Sequence, residues 1–319
     1  MAAAKQKQLA QNWAFIGLGN MGGPMALNLR RLSDVGSLLI YDTNTRAAED
    51  VVAKAEGNIA VALDLDVIAR RADVIIACLP NPQVVEQVFT ELLAHGKDVP
   101  RDRLIIDCST IDPITSRRIA SSMGTVGFGE YVDAPMSGGV VGARAGTLSF
   151  MVGSSTPQIF DSVVPILRHM GRRVVHCGPR GTGLSAKLAN NYLLAINNLA
   201  TAEAMNFGIK AGLGASTLAE IINSATGRSW ASEVNNPVPG VAAAAPASRC
   251  YQGGFATALM NKDLKLAIAA AEQAQAPLLL APVVSSVYGA LAGDAGYSKL
   301  DFSVVYKALS REWDPKANL

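Results

Sequence analysis

Two groups of residues in this 319-residue chain combine types and spacing that could do chemistry. The first is Gly17-Leu18-Gly19-Asn20-Met21-Gly22 together with Asp42. In a GxGxxG turn the first glycine permits a tight turn out of a strand and the second lets backbone approach a pyrophosphate. The third lets the following helix pack closely on the strand, and the N–H groups at the helix start then face the phosphates. A carboxylate about twenty residues further on, here Asp42, accepts hydrogen bonds from both ribose hydroxyls and repels a 2′-phosphate. These residues predict a dinucleotide site that takes NAD in preference to NADP. A glycine-rich turn without a ligand is the competing reading. Arg46, four residues on, would soften that preference by reaching a phosphate, but as a surface arginine at the start of a helix it is expected to point to solvent.

The second group surrounds Lys187. Gly181-Thr182-Gly183 opens a long helical segment, which puts Lys187 in its early turns with Asn190 and Asn191 three and four residues later. Burial, the positive helix end and a positive nicotinamide ring all disfavour an ammonium there. The expectation is a pKa drawn down from about 10.4 towards neutrality. Such a lysine can accept a hydroxyl proton as hydride leaves the neighbouring carbon; a lysine snorkelling to solvent is the alternative. Ser137, Gly138 and Gly139 add a hydroxyl and unhindered N–H groups suited to a carboxylate.

These groups need elements to hold them. Short apolar runs at residues 13–17, 37–41, 74–79, 104–108, 129–133, 148–152 and 174–177 alternate with helical or turn-rich stretches. That rhythm predicts a mostly parallel α/β sheet with helices on both faces. Its strand ends place Leu79-Pro80 and Ser109-Thr110 where a dinucleotide binds in such sheets. From Leu184 to Lys210 one long apolar helix follows, and little beyond it reads as strand. The expected domains are 12–180, dinucleotide-binding and Rossmann-like, and 181–316, all-helical. A helix apolar on nearly all sides must be covered all round, between domains or at a subunit contact. Residues 235–249, rich in Pro, Ala and Gly, read as a loop.

Composition excludes other classes. The 28 basic and 26 acidic residues are interspersed, which predicts no nucleic-acid or anionic-lipid partner. Every apolar run is broken short of the ~18 residues a membrane helix needs. The four cysteines, Cys78, Cys108, Cys177 and Cys250, lack metal-ligand spacing and are expected to be reduced and buried, with no metal bound. His95, His169 and His176 are read as isolated from one another and from any acidic partner, so no chemistry is assigned to them. The first twelve residues carry Lys5 and Lys7 but no arginine and no apolar core, unlike a secretory or mitochondrial leader. Ala317-Asn318-Leu319 is a degenerate match to a peroxisomal tripeptide.

The segments GLGNMG (17–22), DAPMSGG (133–139), GTGLSAKLANN (181–191) and LMNKDLKLA (259–267), in that order, resemble the β-hydroxyacid dehydrogenase family from about Trp13 to Trp313. The segments at 227–241 and 251–255 resemble most closely the members that oxidise 3-hydroxyisobutyrate. The resemblance implies a Rossmann-like domain and an all-α domain joined by a long helix, assembled as a homodimer or homotetramer. It implies NAD-dependent oxidation of a small 3-hydroxy acid, with Lys187 as general base, Asn191 orienting the substrate, and Ser137, Gly138 and Gly139 holding its carboxylate. Lys262 is implied over cofactor and substrate, Asp263 as a structural partner, and Trp230 and Phe255 as walls of a small apolar pocket. The family default for location is the mitochondrial matrix, with peroxisome or cytoplasm as alternatives. Met136 departs from the valine of many relatives and bears on substrate preference. Other reactions of the same family, on tartronate, succinic or glyoxylic semialdehydes, and a non-catalytic dinucleotide-binding module are the competing functions; an extra substrate hydroxyl would need a polar partner that an apolar pocket lacks.

Overall fold

The computed structural model describes residues 12–31, 37–57 and 59–310. Lys5, Lys7, Trp313 and Ala317–Leu319 lie outside the described residues, as does the predicted end of the second domain. The chain divides into two compact units after Lys187.

The first unit runs β1 (Asn12–Ile16), α1 (Gly22–Arg30), β2 (Ser37–Tyr41), α2 (Thr45–Lys54), β3 (Ile59–Val61), α3 (Leu65–Arg71), β4 (Val74–Ala77) and α4 (Pro82–Gly96). It continues through β5 (Leu104–Asp107), α5 (Pro113–Thr125), β6 (Glu130–Asp133), β7 (Met136–Ser137), α6 (Gly139–Ala145), β8 (Leu148–Gly153), α7 (Pro157–Leu167) and β9 (Gly171–Gly178). The strands form one sheet in the order β3-β2-β1-β4-β5-β6-β8-β7, with β9 beside β8. The pairs from β3 to β6 are parallel, β8 runs antiparallel to β6 and β7, and β9 runs parallel to β8.

Alternation along the central strands sorts the core into two layers. Trp13, Phe15, Val74 and Ile76 pack into one, while Ala14, Ile16, Ile75 and Ala77 pack into the other. Both faces are covered by helices, as a parallel sheet requires. Side chains of Asp64, Asn81, Asp112 and Thr156 cap α3, α4, α5 and α7 by accepting from Val67, Val84, Thr115 and Ile159 N–H groups. Three of those helices start with proline, whose missing donor costs nothing there.

The second unit, described by itself, is helical: α8 (Thr182–Lys210, whose first turns belong to the first unit), α9 (Ala215–Ser224), α10 (Trp230–Glu233), α11 (Thr257–Gln273), α12 (Ala281–Gly293) and α13 (Val305–Ser310). Its core joins Ala195, Leu199 and Ala202 of α8 to Met260 and Leu264 of α11 and Val284 and Tyr288 of α12. The Tyr288 hydroxyl donates to Asn198 Oδ1 at 3.0 Å. No helix among the described residues is long and apolar enough to cross a membrane.

The structure differs from the sequence expectations at several points. β3 and β7 are too short to stand out as apolar runs, and β4 ends at Ala77, which releases Leu79 into a loop. Residues 235–249 do form an ordered loop, as expected, held by polar side chains and differing only in its closing 3₁₀ turn, Pro246–Arg249. Asn236 there accepts from Val238 N–H at 3.1 Å and donates to the Ser232 carbonyl at 2.9 Å. Of the cysteines only Cys108 is buried; Cys250 is exposed, because its left-handed turn lies at the surface. His95 does have acidic neighbours, Asp66 at 3.4 Å, which helix packing brings up, and Glu91 one turn earlier on its own helix. Nor is α8 covered on every side within one chain: Leu193 and Phe207 are 57% and 75% exposed.

Candidate cofactor and catalytic site

The glycine turn follows β1 and opens α1. Gly17 has φ +90°, and its N–H donates to the Tyr41 carbonyl at 2.9 Å. A Cβ on Gly17 would strike the Cys78 carbonyl, and one on Gly22 would fall on the Gly17 carbonyl oxygen. Both glycines are thus required by the chain itself. Gly19 is different, because a Cβ there would meet nothing within 4 Å. The open space beside Gly19 is where a ligand phosphate fits. Asn20 is exposed, Met21 is half-buried, and α1 has no side-chain cap; Gly23 N–H donates to the Gly19 carbonyl at 3.1 Å and Pro24 has no donor, so Gly22 N–H is the donor of the first turn available to an anion. The chain therefore fits a dinucleotide pyrophosphate at this turn.

Asp42 closes β2 and is anchored by backbone. One carboxylate oxygen accepts from Leu18 N–H at 2.7 Å and the other from Asn44 N–H at 2.8 Å. Arg46 is exposed. Asp42→Asn keeps the shape and removes the charge. We expect kcat/KM for NAD to fall about tenfold or more while that for NADP holds or rises, since a charge-assisted hydrogen bond contributes ~1.5–3 kcal/mol. An unchanged ratio between the two cofactors would remove Asp42 from cofactor choice.

Leu79 and Pro80 follow β4, and Ser109 and Thr110 follow β5, so both loops sit at carboxyl ends of parallel strands. They are tied together, with Leu79 N–H donating to Ser109 Oγ at 2.9 Å. Ser137 is half-buried at the end of β7, and Gly138 and Gly139 are exposed at the start of α6 with φ +132° and +60°. No side chain crowds Gly139, so its backbone is open to an incoming group.

Lys187 lies in the second turn of α8 and is only 8% exposed. Asn191, one turn later, is buried, whereas Asn190 is exposed and donates to Asn191 Oδ1 at 3.1 Å. Asn191 Nδ2 in turn donates to Asp263 Oδ2 at 2.6 Å. Lys262 Nζ lies 3.1 Å from Asp263 Oδ1. The buried Asp263 carboxylate therefore binds two candidate residues, Asn191 and Lys262. Trp230 starts α10 behind the Ser229 cap and is 52% exposed, outside the apolar clusters of its unit. Phe255 instead packs edge-to-face on Phe302 with ring centroids 6.2 Å apart. A groove of about 710 Å³ along α11 and α12, lined by Ile268, Ala271, Glu272 and Pro282 among others, includes none of these candidates.

Sequence reasoning missed two buried acids of the first unit. Asp133, at the end of β6, accepts from Gly181 N–H at 2.6 Å and Leu184 N–H at 3.1 Å, and so caps the helix that carries Lys187. Asp107 lies beside it in register at the end of β5. It accepts from Ser109 N–H at 2.9 Å and from the Tyr131 hydroxyl at 2.8 Å. Burial pushes each carboxyl up to about 6, against hydrogen bonds that favour the charged form. The available signal was an aspartate ending an apolar strand, which is costly unless it is paired.

Residues 12–178 match the family described as the NAD binding domain of 6-phosphogluconate dehydrogenase. Residues 181–309 match the NAD-binding family of NADP-dependent 3-hydroxyisobutyrate dehydrogenase. The chain is 42% identical to the mitochondrial 3-hydroxyisobutyrate dehydrogenase of Drosophila melanogaster, over 95% of this chain and 90% of that protein. The chain belongs to the β-hydroxyacid dehydrogenase family. Within that family it is also 43% identical to the NAD-dependent L-serine dehydrogenase of Pseudomonas aeruginosa, over 92% of this chain and 96% of that one. The solved 3-hydroxyisobutyrate dehydrogenase of Mycobacterium tuberculosis with L-serine superimposes with a TM-score of 0.85 at 38% identity, covering 94% of this chain and 99% of that one. As a β-hydroxyacid dehydrogenase, this chain is a 3-hydroxyacid oxidoreductase that uses a nicotinamide dinucleotide.

Proposed function

We propose that this dehydrogenase oxidises the primary alcohol of 3-hydroxyisobutyrate to methylmalonate semialdehyde with NAD, using Lys187 as the proton acceptor. The observation that carries this reading is Lys187 itself, a lysine 8% exposed and one helical turn from the buried Asn191. A buried lysine is costly unless it is used. The presence of Lys187 together with Asn191 also argues against a module that only binds a dinucleotide. NAD, when bound, accepts the hydride from the carbinol carbon. Lys187 takes the hydroxyl proton as the C=O bond forms, and returns it in the reverse reduction. Ser137 and the Gly138 and Gly139 N–H groups hold the substrate carboxylate, Asn191 orients the hydroxyl, and Lys262 serves the cofactor. Trp230 and Phe255 supply apolar surface for the methyl branch. The choice of NAD is supported by Asp42.

L-serine is a second reading, favoured by the similarity to the Pseudomonas aeruginosa enzyme. Both compounds offer a carboxylate and a primary alcohol; they differ in carrying a methyl or an ammonium on the middle carbon. An apolar wall favours the methyl, because an unpaired ammonium loses its hydration there. The test is NADH formation with each substrate. We expect kcat/KM for 3-hydroxyisobutyrate to exceed that for L-serine by at least about tenfold. The opposite order would assign serine, and no turnover of any 3-hydroxy acid would overturn the proposal. A mitochondrial location is proposed on the strength of relatives named as mitochondrial. A homodimer or homotetramer is proposed on the exposed Leu193 and Phe207 of α8.

A further inference from the structure

We propose that Asp107 is a positioning residue for the dinucleotide, acting through Ser109 on the backbone of Leu79. The inference rests on the reading that the Leu79-Pro80 loop borders the cofactor. Asp107 is 1% exposed and Ser109 2% exposed, so neither side chain meets bulk water. Ser109 Oγ accepts the Leu79 N–H at 2.9 Å. Having accepted there, the hydroxyl needs an acceptor for its own proton, and the Asp107 carboxylate, already holding the Ser109 N–H at 2.9 Å, receives it.

The relay therefore runs from the carboxylate through one hydroxyl to the Leu79 N–H of the loop after β4. On the other side the Tyr131 hydroxyl donates to Oδ2 at 2.8 Å and steadies the carboxylate, while the Leu79 N–H is held by Ser109. A carboxylate suits this place because it accepts from three donors at once. An amide offers one acceptor oxygen and would turn N–H groups towards donors. A buried carboxylate that only filled space would be a net cost. Here its hydrogen bonds set the orientation of a loop two strands away from the catalytic helix.

The test is fluorescence titration of NADH without substrate, on the wild type and on Ser109→Ala, Asp107→Asn, Ser109→Thr, Tyr131→Phe and Pro80→Gly, each with its thermal midpoint. NADH occupancy reads the cofactor whichever hydroxy acid is turned over. We expect Ser109→Ala and Asp107→Asn to raise the NADH Kd about tenfold, the effect of one lost hydrogen bond of ordinary strength to a positioned group. Ser109→Thr keeps the hydroxyl and should restore binding to within about twofold of wild type. Tyr131→Phe should lower the thermal midpoint like the others yet leave Kd within about twofold. If Tyr131→Phe weakens NADH as much as Ser109→Ala, or Ser109→Ala leaves Kd unchanged, the positioning role is overturned. In the latter case a weakened Pro80→Gly shows that the loop still borders the cofactor, and an unaffected one overturns that reading as well.

Discussion

Replacing Lys187 with alanine is expected to lower kcat by about 10²–10⁴ while NADH affinity stays near that of the wild type. The size follows from what a placed proton acceptor contributes. Without it the alcohol must lose its proton to water, whose conjugate acid is far too strong to serve near neutral pH. Affinity should survive because the elements proposed to meet the cofactor lie elsewhere, in the Gly17–Gly22 turn and at Asp42. The side chain is 8% exposed, so removing it also leaves a void. Lys187→Met fills that void with a chain of similar length and no titratable group. Equal losses in the alanine and methionine variants, at unchanged thermal midpoint for methionine, assign the effect to the amine. A methionine variant retaining more than a tenth of wild-type kcat would remove Lys187 from the chemistry.

Loss of the Asp133 carboxylate should damage the same helix from its beginning. In Asp133→Ala the buried N–H groups of Gly181 and Leu184 lose their acceptor. A buried donor left unsatisfied costs about 1–3 kcal/mol, so the variant should lose about 2–6 kcal/mol of stability. The helix start would shift, and kcat should fall with stability because Lys187 lies only six residues further on.

The charge state gives this prediction a pH dependence. Burial holds Asp133 at about 6 against 3.8 for an ordinary aspartate, so the folded protein binds a proton that the unfolded chain has released. Stability from this group is fully present below 3.8 and is lost as pH rises through about 6, a difference of order 3 kcal/mol. Asp107 is held at about 6 by the same cause and has the same sign. Asp133→Asn removes one of these titrations. Its stability deficit relative to wild type should therefore be greatest near pH 4 and shrink by pH 7.5. Urea unfolding at several pH values checks this; a deficit that grows with pH would show that the carboxylate is stabilised as an anion, as its two amide donors alone would have it.

How much of this could be read beforehand depended on the range of the interactions. β2 was legible to the residue because Ser37–Tyr41 is a single apolar run between turn residues. β3, three residues long and half exposed, had no such contrast with its flanks. Cys250 and the Asp66 neighbour of His95 were misread for one reason, since exposure and distant neighbours belong to the folded surface; Glu91, four residues before His95 on the same helix, was within reach of the sequence.

By itself the sequence determined the two-part plan, a parallel α/β unit followed by helices, together with the glycine turn and the family. These rest on local periodicity and on backbone conformations that only glycine adopts, so they survive without knowledge of distant contacts. Only the tertiary structure decided what holds the candidate residues in place. Asp133 caps a helix 48 and 51 residues away, and Asp263 holds Asn191 across 72 residues. Burial makes such carboxylates matter, because a charge taken out of water must find its donors within the fold. No spacing in the chain announces which donors those are, since chain folding alone brings them together.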